Sequence, residues 1–138
     1  AIESALAQGD RVVLADPLFL GRNQPTEQSA WQFALFVHAV GERVLGIQAG
    51  QIAALGRWAG ETYGESGLLH SEGWGASLAA RSAAALAVRN GLDTLQRVID
   101  ERYKFENAPG VFCFGLYARF DVADIDAIHG LAVETPSI

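Results

Sequence analysis

The sequence contains no methionine, only one cysteine, few basic residues and no long apolar run. The single Cys113 cannot form an internal disulfide, and its apolar neighbours predict a small buried side chain. No apolar run approaches the roughly 20 residues of a membrane span, and the first residues show no signal-peptide pattern. These absences favour a cytoplasmic protein with no membrane partner. A trimmed initiator and a piece of a longer chain both explain the missing methionine.

Charge and motif spacing exclude several further classes of function. The ten Lys and Arg residues are scattered and the net charge is −6, which argues against a nucleic-acid partner. The sequence has no His-x-x-x-His pair, no paired cysteines and no calcium-type acidic loop, so we expect no metal. A phosphate-binding loop is also missing, and we expect no cofactor.

The chain is long and apolar enough for one domain over residues 1–138, since half of its residues are hydrophobic. The apolar run 11–16, which Pro17 ends, is typical of a strand buried on both faces. Further strands are predicted at 67–71 and 131–134. Helices are predicted at 1–8, 30–60 with a break near Gly41, 76–84, 92–103, and from a cap at Asp121 and Asp124 through Ile128. The expected fold is α/β, with a small, mostly parallel sheet of three or four strands flanked by helices.

The segment around Gly73 has the layout of the nucleophile elbow of α/β-hydrolases. A short strand, a glycine turn and a helix of small residues follow one another, and the Gly-x-Ser-x-Gly spacing is kept as Ser71-x-Gly73-x-Gly75. Glycine occupies the central position, where the nucleophilic serine of a hydrolase stands. The turn therefore predicts the architecture of such a site without its nucleophile.

Weak catalytic candidates remain if the register of this motif is shifted. Ser71 is then the candidate nucleophile, and Asp121 or Asp124 followed by His129 keeps the chain order of acid and base, with Asp124 as the favoured acid. Of the other histidines, His70 is expected to point away from Ser71, because neighbours in a strand face opposite sides. The alternative to a catalytic role is that Ser71 is simply a polar residue at the end of a strand.

A ligand site is the other possibility at this edge of the predicted sheet. Asp16 ends the first strand, and Ser71, Gly73 and Trp74 lie at the end of the second. Open α/β sheets bind ligands at the carboxyl ends of their strands. These four residues are the predicted binding site for a small molecule, although Trp74 could equally cover the end of the sheet.

Several segments in order resemble the acetyl-xylan-esterase/dienelactone-hydrolase-like group of bacterial α/β-hydrolases. They are residues 11–19, 40–49 and 109–116, together with the strand, turn and helix around Gly73. The resemblance extends from about residue 5 to 130. Over this range, the chain resembles a degenerate C-terminal portion of such proteins. It implies a doubly wound sheet and, in active members, hydrolysis of carboxylic esters. Gly73 would then stand at the nucleophile position and Trp74 at that of its oxyanion-hole neighbour.

These observations favour a non-catalytic, degenerate α/β-hydrolase-like domain. A small open sheet leaves edges and an apolar helix face uncovered, so we expect a homo-oligomer or docking to the rest of a larger chain. Two alternatives stay open: a small esterase that uses Ser71, and a small-ligand binding module.

Overall fold

The chain forms a small, mostly helical domain. The computed structural model describes residues 2–64, 69–83, 87–89, 91–113 and 115–128. Within these ranges there are six α-helices: α1 (Ile2–Ala7), α2 (Glu27–Ala39), α3 (Val44–Tyr63), α4 (Trp74–Ser82), α5 (Gln96–Asp100) and α6 (Val122–Ile128). Three short 3-10 turns cover Gly21–Asn23, Phe105–Asn107 and Pro109–Val111. No described helix is long and apolar enough to cross a membrane.

The predicted α/β fold is wrong. The β structure in the described residues is one parallel pairing of two three-residue strands, β1 (His70–Glu72) and β2 (Ala87–Arg89). A pairing of this size is not a sheet that helices could cover on both faces, so the predicted three- or four-stranded layer is absent from the described part of the chain. The doubly wound sheet implied by the family resemblance fails for the same reason.

The first predicted strand is the clearest correction. Residues 11–16 have no regular secondary structure, and most of their side chains are exposed. The second strand forms three residues long, at His70–Glu72, and Gly67 and Leu68 lie outside the described residues. The predicted strand 131–134 also lies outside them. β2 forms in a segment where no strand was predicted.

The helix predictions are more successful, since most were made from local signals. Gly9 ends α1, and the break near Gly41 separates α2 from α3. The predicted cap of α6 is confirmed, because the Asp124 carboxylate accepts a hydrogen bond from Asp121 N at 2.7 Å. The helix predicted at 92–103 is reduced to α5, which has five residues.

The core is built around α4, whose small side chains allow close packing. Leu78, Ala79 and Ala80 have no exposed surface. Leu78 and Ala79 pack in one cluster with Leu45 of α3 and with apolar residues of α5, α6 and the loop at 108–111. Arg81 of α4 and the buried Asp126 of α6 form an ion pair that ties the two helices together. A smaller second cluster joins Phe19, Ala34 and Val44.

Candidate functional site

The turn at Gly73 joins β1 to α4 with a backbone conformation that favours glycine. Gly73 has φ 86° and ψ 162°, a region of backbone space populated almost only by glycine. Its carbonyl accepts the first hydrogen bond of the helix from Ser77 N at 2.9 Å. A Cβ added at Gly73 would meet no atom within 4 Å. The backbone conformation, and not a lack of space, therefore accounts for glycine at the centre of the motif.

Replacing Gly73 by serine is expected to destabilise the protein by about 2 kcal/mol and to create no esterase activity. The cause is the positive φ, which any L side chain would have to adopt. Urea unfolding measures the stability, and hydrolysis of p-nitrophenyl acetate measures the activity. Gly50→Ser in α3 is the matched control, because Gly50 also has open space around it but no positive φ. Equal stability of the two variants would contradict this explanation.

A small cavity opens at the start of α4. It has a volume of about 210 Å³ and lies between residues 72–76, the Leu20–Gly21 turn and the loop that carries Tyr103, Asn107 and Ala108. Typical pockets for small molecules have volumes of about 300–1,000 Å³. At one wall of the cavity, the backbone of Gly75 lies close to Ala108, since a Cβ on Gly75 would lie 3.1 Å from Ala108 Cβ. The cavity is thus smaller than most ligand sites.

The side chain of Trp74 is held in place on both faces. Its ring stacks on that of Tyr103, with 4.5 Å between the centroids. The guanidinium of Arg97 lies 4.9 Å from the centroid of the Trp74 ring, close enough for a cation–π interaction. Burial raises the pKa of Tyr103. Trp74 therefore lines the cavity and also links α4 to α5 and to the following loop.

Of the other predicted ligand residues, Asp16 lies beside the cavity and Ser71 does not line it. The Asp16 carboxylate lies against the backbone of Gly21, so that a Cβ at Gly21 would overlap it. The Ser71 hydroxyl is buried and has no hydrogen-bond partner among the described residues. The structure therefore places Gly73 and Trp74 at one cavity with Asp16 next to it. The walls at Leu20 and 103–108 come from distant loops, for which the sequence gives no signal.

The triad candidates are not assembled in the described residues. His70 is exposed on the strand next to Ser71, as the alternation of strand side chains predicts. Asp124 is engaged in the cap of α6, and His129 lies outside the described residues. His38 lies on α2. The hydroxyl of Ser71 has neither a histidine nor a carboxylate within hydrogen-bond reach in the described ranges.

Ser71 is expected to remain unlabelled by a fluorophosphonate probe. A nucleophilic serine needs an exposed hydroxyl and a base that takes its proton, and the buried Ser71 hydroxyl has no partner in the described chain. Mass spectrometry of the treated protein measures the adduct, with Ser71→Ala as the matched control. An adduct that appears on the wild type and disappears in Ser71→Ala would support the esterase interpretation instead.

No metal site is formed by the residues that the structure describes, since no group of three or more histidine, cysteine, aspartate or glutamate side chains converges there. Cys113 is half-buried against the main core, and burial raises the pKa of its thiol, which Arg43 partly counteracts. A raised pKa keeps the thiol protonated and unreactive at neutral pH. Cys113 is therefore a packing residue, close to the sequence prediction.

The largest unexplained feature is the outer face of α2. Ala30 and Ala34 are buried against the domain and Val37 is partly buried there, whereas the large apolar side chains on the other sides of the helix are exposed. Residues 28–41 contain no Asp, Glu, Lys or Arg. We call the exposed large side chains of the helix, together with the residue that follows it, the α2 face: Trp31, Phe33, Leu35, Phe36 and Val40.

The α2 face is unusual because of its size and its exposure. Phe36 is 68% exposed and Val40 77% exposed. Monomeric proteins seldom leave a contiguous apolar patch of more than a few hundred Å² in water. The run of residues without charge was the available signal that this helix exposes an apolar surface.

Comparisons with protein-family models, with curated proteins and with solved structures find no match for this chain. The resemblance to α/β-hydrolases therefore stays a prediction from short sequence segments.

Proposed function

We propose that this chain is an association domain that binds a second copy of itself through the α2 face and catalyses no reaction. The observation that carries the proposal is the exposure of five large apolar side chains, four on α2 and Val40 directly after its end. A helix that is apolar on nearly all sides is normally buried on all sides. In the described part of the chain, α2 is covered along Ala30 and Ala34, which are buried, and at Val37, which packs against the second cluster.

The area of the α2 face fits a second copy. Its three aromatic residues, with Leu35 and Val40, expose roughly 500 Å² of side-chain surface. Stable dimers bury about 800 Å² per partner. The α2 face thus supplies most of the apolar surface that a dimer needs, and Gln32 and Ala39 lie between its members on the helix. In a symmetric dimer, a two-fold axis places this surface against the same surface of the second copy.

The charge distribution supports the same partner. Each copy carries a net charge of −6, so two copies repel unless they meet on an uncharged surface. Residues 28–41 are such a surface, with His38 as their single titratable side chain. A helix that binds an anionic membrane surface carries Lys and Arg on its polar face. The absence of both from this segment favours a protein partner.

The proposal is tested by light scattering on the full chain as it elutes from a sizing column. At a concentration of about 10 µM, where a micromolar dimer begins to populate, we expect a mass of at least twice the 14.7 kDa of one chain. Dilution should shift the mass towards the monomer. A folded monomer at all concentrations up to about 100 µM would overturn the proposal.

A further inference from the structure

A second and larger groove lies between α2 and the loop at 101–107, and we call it the 101–107 groove. Its volume is about 730 Å³, within the range of about 300–1,000 Å³ that is usual for small-molecule pockets. Trp31 lines it from α2, and residues 101–104, 106 and 107 line it from the loop. Tyr103 and Asn107 also line the cavity at Gly73, so the two openings are neighbours.

The charged side chains of the 101–107 groove leave it with an excess of positive charge. Glu101 is already paired, since its carboxylate accepts a hydrogen bond from Arg97 Nε at 2.7 Å. Arg102 and Lys104 form no ion pair with a described residue. Glu106 is the other carboxylate that lines the groove. Two cations and one carboxylate therefore give a local positive potential on a chain whose net charge is −6.

Arg102 has a backbone conformation that is unfavourable for its own side chain. Its φ is 49°, and it follows α5 at the position where helices often end on glycine. The hydrogen bonds are those of such an ending, since Arg102 N donates to Ile99 O at 3.1 Å. Tyr103 N likewise donates to Val98 O at 3.0 Å. A side chain in the left-handed region costs free energy, and residues strained in this way concentrate at binding sites.

The lining groups indicate an aromatic carboxylate as the ligand. The planar fork of the Arg102 guanidinium matches the two oxygens of a carboxylate, and Lys104 supplies a second cation. Trp31 is 43% exposed, and its ring contacts no other aromatic ring of the described residues, so it is available to stack on a ring of the ligand. One negative charge on the ligand balances the excess that remains beside Glu106, whereas a phosphate dianion would exceed it.

We infer that the 101–107 groove binds a small aromatic carboxylate, whose ring stacks on Trp31 and whose carboxylate contacts Arg102 and Lys104. This inference goes beyond self-association and does not depend on it. The groove and the α2 face share Trp31, so binding and association are tested separately.

The probe is 2-naphthoate, and 2-naphthamide is its neutral match. Lys104 is the single lysine of the sequence, so reductive methylation with carbon-13 formaldehyde gives one lysine methyl signal and keeps the charge. Titration with 2-naphthoate should shift this signal to saturation with a Kd below about 1 mM, and 2-naphthamide should bind about 10-fold more weakly. A shift that does not saturate by about 5 mM, or equal affinity for the two compounds, would overturn the inference.

Three arginine variants separate a binding role from a structural one. Arg102→Gln should weaken the binding of 2-naphthoate about 10-fold. Arg57→Gln removes an exposed cation from α3 and should leave binding within about 2-fold of the wild type. Arg102→Gly relieves the backbone strain, so it should unfold at a higher urea concentration than the wild type and still lose binding. Equal effects of Arg102→Gln and Arg57→Gln, or normal binding by Arg102→Gly, would contradict the assigned site.

Phe36→Glu distinguishes this inference from the proposed function. Phe36 belongs to the α2 face and does not line the groove, so the variant should bind 2-naphthoate at least as tightly as the wild type. In this background, Trp31→Ala should weaken binding about 10-fold, because the stacking surface is lost. A wild type that stays monomeric but binds 2-naphthoate overturns the dimer and supports the groove. A wild type that associates but does not bind 2-naphthoate overturns the groove and supports the dimer.

Discussion

Replacing Phe36 by glutamate is expected to weaken self-association about 100-fold. Phe36 is 68% exposed at the middle of the α2 face. Burying a phenylalanine side chain contributes about 1.5–3 kcal/mol, and every 1.4 kcal/mol is tenfold in affinity. A glutamate would lose this contribution. Its carboxylate would also be desolvated in the interface, close to the same carboxylate of the second copy.

The control for this variant is Ile99→Glu. Ile99 is a 58% exposed apolar residue on α5, so its replacement makes a similar change of surface and charge away from the α2 face. Sedimentation equilibrium of both variants measures the association constants, and circular dichroism shows whether each remains folded. If Ile99→Glu weakens association as much as Phe36→Glu does, the effect belongs to net charge and the α2 face is not the interface.

Replacing Asp121 by alanine is expected to lower the free energy of unfolding by about 3 kcal/mol. The Asp121 carboxylate accepts hydrogen bonds from Leu95 N at 2.6 Å, Thr94 Oγ1 at 2.6 Å and Val122 N at 2.7 Å. It thereby joins the segment before α5 to the start of α6. Hydrogen bonds to charged groups contribute about 1.5–3 kcal/mol each and are not additive when they share one acceptor. Urea unfolding measures the loss.

The matched control is Asp124→Ala, which removes a single cap hydrogen bond and should cost about 1 kcal/mol. A loss in Asp121→Ala no larger than this would contradict the role assigned to Asp121.

The same carboxylate should make stability depend on acid pH. Burial raises the pKa of Asp121, but the hydrogen bonds from Leu95, Thr94 and Val122 outweigh burial and hold the pKa below its ordinary value of 3.8. Because the pKa in the folded state is the lower one, the stabilisation is complete above the pKa of the unfolded chain and is lost as the pH falls through that of the folded state. Unfolding measured from pH 7 down to about pH 3 should therefore show a steeper loss for the wild type than for Asp121→Ala.

Local signals in the sequence were sufficient for several helices. Gly9 and Gly41 mark helix ends, and Asp121 with Asp124 marks the start of α6, because each signal depends on residues within one or two turns. α5 is shorter than predicted, because the periodicity of apolar residues does not determine the number of helical turns that fit between the neighbouring loops. Strands depend instead on a partner that the segment itself does not contain. The run 11–16 has strand composition, but no strand in the described residues pairs with it.

The candidate site could be predicted only in part. The glycine turn and its position before α4 followed from spacing, whereas the wall formed by Leu20 and residues 103–108 depends on loop packing. The α2 face was missed for a different reason. The sequence predicted an uncovered apolar helix face but did not assign it to a particular helix, and the fully buried side chains of α2 are the small Ala30 and Ala34. Small residues face the domain and large ones face outwards, the reverse of the usual expectation.

The most direct test of the association proposal is an intermolecular distance measurement at α2. A spin label is attached to Gln32→Cys, at the middle of the α2 face, in a Cys113→Ser background that removes the natural thiol. Labelled protein is then mixed with an equal amount of unlabelled, nitrogen-15 protein. We expect the amides of α2 in the second copy to broaden, with little effect on α5, and Phe36→Glu should abolish the broadening. An associated wild type in which the α2 amides remain sharp would contradict the account.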